Sequence, residues 1–496
     1  MWSNQQAMTR ELPRQVFVRG ALGAVATAVL GACGAPTPPG PATTPAEPGH
    51  SAPDWTKLAA AVDGTVVLRG DGGYPAAKTV FNTRFAGSTP AAVVTVTSVE
   101  DVRAALRFAS SSGVAVTARS GGHSYVGASA ADATLVVDLR RLPGGVTFDD
   151  GTGRATVSPA ADISSIQNAL NAFGRSIPTG SCPSVGVAGL TLGGGLGADA
   201  RRYGLTCDAL VSATVVLPDG ETVTASPGDD ADLFWALRGG GANNGIVTSF
   251  TFDTFPTTGR DVVTLVFGED AAARVLVGWH EWLVAADRAV WGMVNLTVGP
   301  GRGRCSVVLA TPAGDGPARA AGVLAAIGVP TVGQTIRTFD HLGVVAYFGG
   351  GPDAVRPRAF VAGSDVVARM TPAAAESIVA ATSAWPRAGG AATAVVESLD
   401  GAIGDVDPAA TAFPWRRHAA NVQWYVETPT PELTDAADRW LTAAHAALGA
   451  HSAGGYVNYL EPSTPAVRYF GPNLPRLSAV RRRCDPQGVM FSSLRF

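Results

Sequence analysis

No stretch of this 496-residue chain is long and apolar enough to cross a bilayer, and no segment repeats. Positive charge is not in excess: 37 Lys and Arg against 40 Asp and Glu leave a formal net charge of -3, which excludes nucleic acid as a partner. Charged residues make up only 16% of the chain and hydrophobic ones 46%, the opposite of a disordered composition. The 5 cysteines include no Cys-x-x-Cys pair and the 7 histidines show no metal-ligand spacing, so no metal site is expected. A Walker sequence is missing, and no Gly-x-Gly-x-x-Gly follows a strand in the Rossmann manner. Glycine is what the chain has in plenty: 60 residues, about 12% where roughly 7% is usual, beside 34 prolines without a collagen period. The length suits two or three domains of about 150 residues.

Arg10, Arg14 and Arg19 precede an apolar run over residues 20–32, the length of a signal-peptide core. The run ends in Leu30-Gly31-Ala32-Cys33, which resembles a bacterial lipobox and implies cleavage before Cys33 and a lipid anchor on its thiol. Residues 33–53 are rich in proline and read as an extended tether. Residues 14–19 resemble a twin-arginine export signal except that Gln15 stands where the second arginine belongs, leaving the export pathway open. Cys207, Cys305 and Cys484 are expected as disulfides or buried thiols.

From Asp54 onward strands and helices alternate. The β-branched run at 93–96 is followed by Ser98-Val99-Glu100-Asp101, a Ser-x-x-Asp capping box opening an amphipathic helix that Gly113 ends. Strands are predicted at 114–117, 135–139, 210–217, 221–225 and 246–252, with Pro218-Asp219-Gly220 as a hairpin turn, and a helix at 163–173 closed by Gly174. Beyond residue 257 the glycine clusters thin out. Strand candidates at 262–267, 294–298, 305–310, 392–399 and 422–426 interleave with alanine-rich helices and predict a second domain on an antiparallel sheet.

Three segments carry the dense glycine: residues 119–127, opening Arg119-Ser120-Gly121-Gly122-His123-Ser124-Tyr125; residues 180–197, with Gly180, Gly186, Gly189, Gly193, Gly194, Gly195 and Gly197; and residues 239–245, ending in Gly245 and followed by Ile246 and Val247. Lacking a Cβ, such runs let main-chain N–H groups approach an anion closely, which suits a pyrophosphate. Arg-Ser-Gly-Gly-His-Ser-Tyr followed by Gly180-Ser181-Cys182-Pro183-Ser184-Val185-Gly186 closely resembles the berberine-bridge-enzyme-like oxidases of the vanillyl-alcohol-oxidase superfamily. The resemblance continues through residues 202–205, 232–241 and 469–477, and covers nearly everything after residue 80.

That resemblance implies an α+β fold: a PCMH-type FAD-binding domain over residues 54–256, a substrate domain over 257–455 built on an antiparallel sheet covered by helices, and a C-terminal segment, 456–496, returning to the FAD domain. It implies FAD bound bicovalently, through His123 to the flavin 8α-methyl and Cys182 to C6, imidazole and thiolate being suitable nucleophiles for an electrophilic ring. Tyr456-Val457-Asn458-Tyr459 matches the family's Tyr-x-Asn motif, in which Tyr456 takes the substrate hydroxyl proton while hydride leaves for the flavin. A tyrosine with a pKa near 10 needs help to act near neutrality. Gln423 is the expected helper, with Glu397 and Tyr425 beside it. Asn458 and Asn473 fall in the motifs expected to hold the cofactor. Val185 occupies the family's oxygen-gatekeeper position and implies an oxidase. Trp415 stands where histidine is usual, and Asn244 where phenylalanine often follows the motif asparagine.

The expected function is oxidation of an alcohol, above all a sugar or oligosaccharide hydroxyl, with dioxygen reduced to hydrogen peroxide. A dehydrogenase or a secondary-metabolite tailoring oxidase of the same family is the alternative, and an inactive surface binding protein a reading of another class. The expected partners are a small-molecule substrate and O2, with membrane contact only through Cys33, and the chain is expected to be an exported monomer.

Overall fold

The helix opened by Ser98 shows how local sequence fixes the scaffold. In the computed structural model, which describes residues 53–301 and 303–496, the helix runs Val99–Ser112. Ser98 accepts the Asp101 N–H at 3.1 Å, and Gly113 closes the helix in the left-handed conformation at φ 66°. Only half of the expected capping box forms. The Asp101 carboxylate turns from the Ser98 backbone to accept the N–H groups of Thr97 and Asp63, each at 2.8 Å, and so ties the helix to the preceding loop. The helix buries Val102, Ala105, Leu106 and Ala109, each larger apolar side chain contributing roughly 1.5–3 kcal/mol.

They pack on a four-stranded sheet ordered Thr65–Leu68, Ala92–Thr95, Leu135–Asp138, Val116–Arg119, antiparallel at the first pair and parallel in the others. A five-stranded antiparallel sheet follows, ordered Val146–Asp149, Arg154–Val157, Ile246–Asp253, Leu210–Val216, Thr222–Ala225. Pro218-Asp219-Gly220 makes the expected hairpin turn: Leu217 and Glu221 pair at 2.8 Å, and Gly220 takes φ 84°.

Residues 260–454 supply an eight-stranded sheet, antiparallel throughout. Its order is Gly333–Phe339, Arg260–Phe267, Arg304–Pro312, Trp291–Val298, Ala392–Ser398, Ala420–Glu427, Phe360–Val367, Ser452–Gly454. Helices Ala272–Ala285, Gly316–Ile327, Pro372–Ser383 and Pro431–Leu448 cover one face, sharing a core around Trp279, Trp385, Trp424 and Trp440. The chain beyond Gly454 returns to the first sheets: Leu477 and Val480 enter the core of the five-stranded sheet, and Val116 pairs with Val489 and Phe491.

Buried ion pairs join the two halves. Arg201, 1% exposed, donates to Asp400 at 2.8 and 3.0 Å and to the Leu283 carbonyl at 2.6 Å. Removing one partner of such a pair would strand an uncompensated charge. Cys207, Cys305 and Cys484 are free buried thiols, which settles that alternative against disulfides among the described residues. Cys33 and the export signal lie outside the described residues, and no described helix is long and apolar enough to cross a membrane.

Candidate active site

A cavity of about 540 Å³ opens between the glycine loops and the uncovered face of the eight-stranded sheet. Ser120, Gly121, Gly122, His123, Ser124 and Tyr125 line it from one loop, and Gly180, Cys182, Val185, Gly186 and Gly189 from a second. Gly245, Ile246 and Val247 come from a third, and Glu397, Gln423, Tyr425, Tyr456 and Asn458 from the opposite wall.

The glycines at 121 and 186 are required by a close crossing. A methyl group on Gly121 would overlap the Gly186 backbone, and one on Gly186 would overlap Ser120 and Gly121. The crossing frees the loop's donors: among the described residues, the main-chain N–H groups of residues 120–126 have no protein acceptor. Such a row of unpaired donors at the edge of a cavity is an anion cradle, and polar backbone groups so placed call for a partner. Among the described residues, Arg358 is the only Lys or Arg lining the cavity, and it is already engaged with Glu427 at 2.9 Å. The donor set therefore fits a pyrophosphate held by backbone, with apolar walls for two ring systems.

His123 and Cys182 meet at Ser184. His123 Nε2 lies 3.0 Å from Ser184 Oγ, and Cys182 Sγ lies 3.9 Å from the same oxygen. Phe81 stacks on the imidazole with centroids 3.9 Å apart. Burial, helped by the Arg358 charge, lowers the His123 pKa to about 4, so the ring is neutral near pH 7. A neutral imidazole keeps a lone pair on one ring nitrogen, and which one follows from the tautomer it adopts against Ser184. A neutral imidazole with one free nitrogen is a nucleophile.

Across the cavity, Tyr456 is 3% exposed and its phenolic oxygen accepts two hydrogen bonds, from the Gly195 N–H and Asn458 Nδ2, each at 2.8 Å. Burial raises its pKa, and those two donors oppose the rise. Trp415 donates to the Gly455 carbonyl at 2.8 Å, packing its indole beside the base of this segment.

Several expected placements differ. Gln423 does not reach Tyr456; its Nε2 donates to the Tyr125 hydroxyl, because Ser364 and Gln423 stand opposite each other on adjacent strands and Tyr125 fills the space before them. Glu397 instead receives the Tyr459 hydroxyl, and burial lifts its pKa to about 7 despite that bond. Tyr425 stacks on Phe360 at 5.2 Å. Arg119 does not line the cavity: its side chain is fully buried in an ion pair with Asp138 at 2.8 Å. Gly193, Gly194, Gly195 and Gly197 also lie off the lining. A side chain on Gly193 would strike Asn458, on Gly195 Thr206 and on Gly197 the Thr179 carbonyl, so these three pack closely behind the wall, Gly195 also donating its N–H to Tyr456. Asn473 donates to the carbonyls of Pro408 and Thr411 at 2.8 and 3.0 Å, fastening the C-terminal segment rather than touching the cavity.

Phe81, Ser184, Arg358, Tyr459 and the tail from Met490 to Phe496 also line or order the cavity. Ser184 and Tyr459 lie inside motifs already singled out, so their position was a usable signal. Phe81 and the tail carry none.

The sequence pattern of the FAD binding domain family matches residues 90–226, and that of the berberine and berberine-like family residues 455–491. The uncharacterised FAD-linked oxidoreductase YgaK of Bacillus subtilis (strain 168) is 28% identical over 447 residues, covering 86% of this chain and 95% of that protein. A chitooligosaccharide oxidase of Gibberella zeae is 29% identical over 427 residues, covering 81% and 86%. A solved glucooligosaccharide oxidase of Acremonium strictum, described as carrying 6-S-cysteinyl, 8α-N1-histidyl FAD, superposes with a TM-score of 0.80 at 26% identity, covering 88% of this chain and 98% of that one. The chain carries the sequence patterns of both families and the PCMH-type FAD-binding fold of the berberine-bridge-enzyme-like oxidases. It is an FAD-dependent enzyme.

Proposed function

We propose that the protein oxidises a sugar or oligosaccharide at its anomeric hydroxyl, giving a lactone and passing the electrons to dioxygen as hydrogen peroxide. FAD, when bound, supplies the two-electron acceptor. His123 and Cys182 would hold it covalently, since His123 is neutral near pH 7 and both side chains line the cavity beside Ser184. The backbone donors of residues 120–126 would take the pyrophosphate.

Tyr456 carries the reading. Two donors converge on its oxygen and favour the phenolate, against the burial that raises its pKa, as a proton acceptor at this position requires. The substrate would lie between Tyr456 and the acceptor ring, with Gln423, Tyr425 and Glu397 along the sheet available to its other hydroxyls. Val185, small and at the cavity wall, leaves room for dioxygen. Attachment at two points suits an enzyme exported and anchored through Cys33, because cofactor lost outside the cell is not replaced.

A panel of cellobiose, xylobiose and N,N′-diacetylchitobiose, mixed anaerobically with the flavin-loaded protein, tests the function. Bleaching of the flavin's visible band, and peroxide on readmitting oxygen, is expected for at least one. No bleaching by any of them would overturn the sugar reading, and bleaching without oxygen consumption would make the enzyme a dehydrogenase.

A further inference from the structure

Behind the eight-stranded sheet, on its helix-covered face, four charged side chains gather with no part in the reaction described above, Asp365 and Glu461 buried and His445 and Arg468 partly buried. Asp365, on strand Phe360–Val367, is fully buried. Its carboxylate contacts His445 Nδ1 at 2.7 Å and accepts from Trp424 Nε1 at 2.8 Å, Ser452 Oγ at 2.6 Å and Arg468 Nη2 at 2.8 Å. His445 Nε2 lies 2.7 Å from Glu461 Oε2. The second Glu461 oxygen accepts the Ser364 N–H at 3.2 Å, and Arg468 donates to the Ser364 carbonyl at 2.6 Å. Two carboxylates, a guanidinium and a protonated imidazole sum to zero charge, which is how such a group is tolerated in an interior.

Ser364 links this cluster to the cavity. Glu461 and Arg468 bind its backbone N–H and carbonyl, while its side-chain hydroxyl accepts the Tyr456 N–H at 2.8 Å. Gly455, the preceding residue, donates to the Arg468 carbonyl at 2.8 Å. Two backbone attachments of the Tyr456 turn therefore run to the cluster, and a third, at the Gly455 carbonyl, runs to Trp415. The sheet alone holds this place weakly: beyond strand Phe360–Val367 stands only the short strand Ser452–Gly454, whose register breaks between Val366 and Val367. An apolar cluster of like volume would stabilise the fold as well or better, but it would not fix Ser364 in direction.

We propose that Asp365, His445, Glu461 and Arg468 are positioning residues for the oxidation, holding the Tyr456 phenol in place through Ser364. The proposal rests on Tyr456 as the proton acceptor. Burial alone would discharge His445, but its bonds to Asp365 and Glu461 outweigh that and raise its pKa to about 9. The other charged or titratable groups against it are Arg468, 3.0 Å from Nδ1, and Tyr469, whose hydroxyl accepts the Glu461 N–H at 2.9 Å. A raised histidine pKa means that the cluster is intact at neutral pH and loosens as pH rises through about 9.

The test uses flavin-loaded Ser364→Ala, His445→Gln and Tyr456→Phe variants, with anaerobic stopped-flow reduction by the fastest sugar of the panel above, from pH 6 to about 10. Ser364→Ala and His445→Gln are expected to lower the limiting reduction rate on the order of tenfold or more, a misplaced proton acceptor being costly, with the sugar's half-saturation unchanged. His445→Gln should also remove the alkaline fall of that rate. Variants that keep the flavin spectrum and reduce at the wild-type rate with the wild-type pH profile would overturn the proposal, even if their Tm fell, because the cluster would then serve stability alone. Loss of reduction in Tyr456→Phe beside a wild-type rate in Ser364→Ala overturns only the cluster's role. A wild-type rate in Tyr456→Phe overturns the proton-acceptor reading and the cluster's role with it.

Discussion

The two walls of the cavity are made of different parts of the chain. On the FAD-domain side the working groups are main chain: residues 120–126 present unpaired N–H donors, and Gly121 and Gly186 exist to let two loops cross. On the sheet side they are side chains at alternate positions of strands, where Gln423 and Tyr425 share one face of Ala420–Glu427. Backbone recognition serves a cofactor that is always the same. Side chains on strands can change one at a time, which suits the wall that reads a substrate.

The comparison makes predictions of graded size. Tyr456→Phe removes the proposed side-chain proton acceptor and should slow anaerobic flavin reduction by about 10²–10⁴-fold while leaving flavin loading intact; loss of loading instead would move Tyr456 to the cofactor wall. Glu397 comes next. Burial raises its pKa to about 7, so the stability associated with its protonated form is full below the ordinary carboxyl range and is lost as pH rises through about 7. Glu397→Gln should match the wild type near pH 4 and exceed it at pH 8 by roughly 2–3 kcal/mol in denaturant unfolding. An equal gain at both pH values would contradict the buried-acid reading.

Gly186→Ala tests the backbone wall: forced against Gly121 and Ser120, it should cost about 1–3 kcal/mol and reduce flavin loading, read as the ratio of visible to protein absorbance. Gly189→Ala, where a methyl meets nothing nearby, is the control expected to load normally. The smallest effect belongs to the cavity rim. Glu427→Gln breaks a half-exposed pair with Arg358 and should change stability by about 0–1 kcal/mol, less at high salt.

The same contrast explains what could be read from sequence. Glycine next to His123 and next to Cys182 is a local signal, and the loops fell where the motifs put them. Strands 262–267, 294–298, 305–310, 392–399 and 422–426 were legible because β-branched residues mark them, and each lies within an observed strand or overruns its end by one residue. Strand Phe360–Val367 was not, since Gly363, Ser364 and Asp365 are poor strand formers and both its faces are buried, which erases alternation. Partners set by register were equally hidden. Whether Gln423 meets Tyr456 or Tyr125 depends on which strand lies beside it and where the first loop ends, neither of which periodicity encodes. Arg119 and Asn473 sat inside the right motifs but serve the fold, because a motif preserves its packing along with its contacts.

The central claim, FAD fixed in the cavity by His123 and Cys182, is tested most directly by acid precipitation of the purified protein followed by the flavin spectrum of pellet and supernatant. The flavin should stay wholly with the protein in the wild type and in each of His123→Ala and Cys182→Ala, and pass into the supernatant only in the double variant. Free flavin in the supernatant of the wild type would contradict the claim.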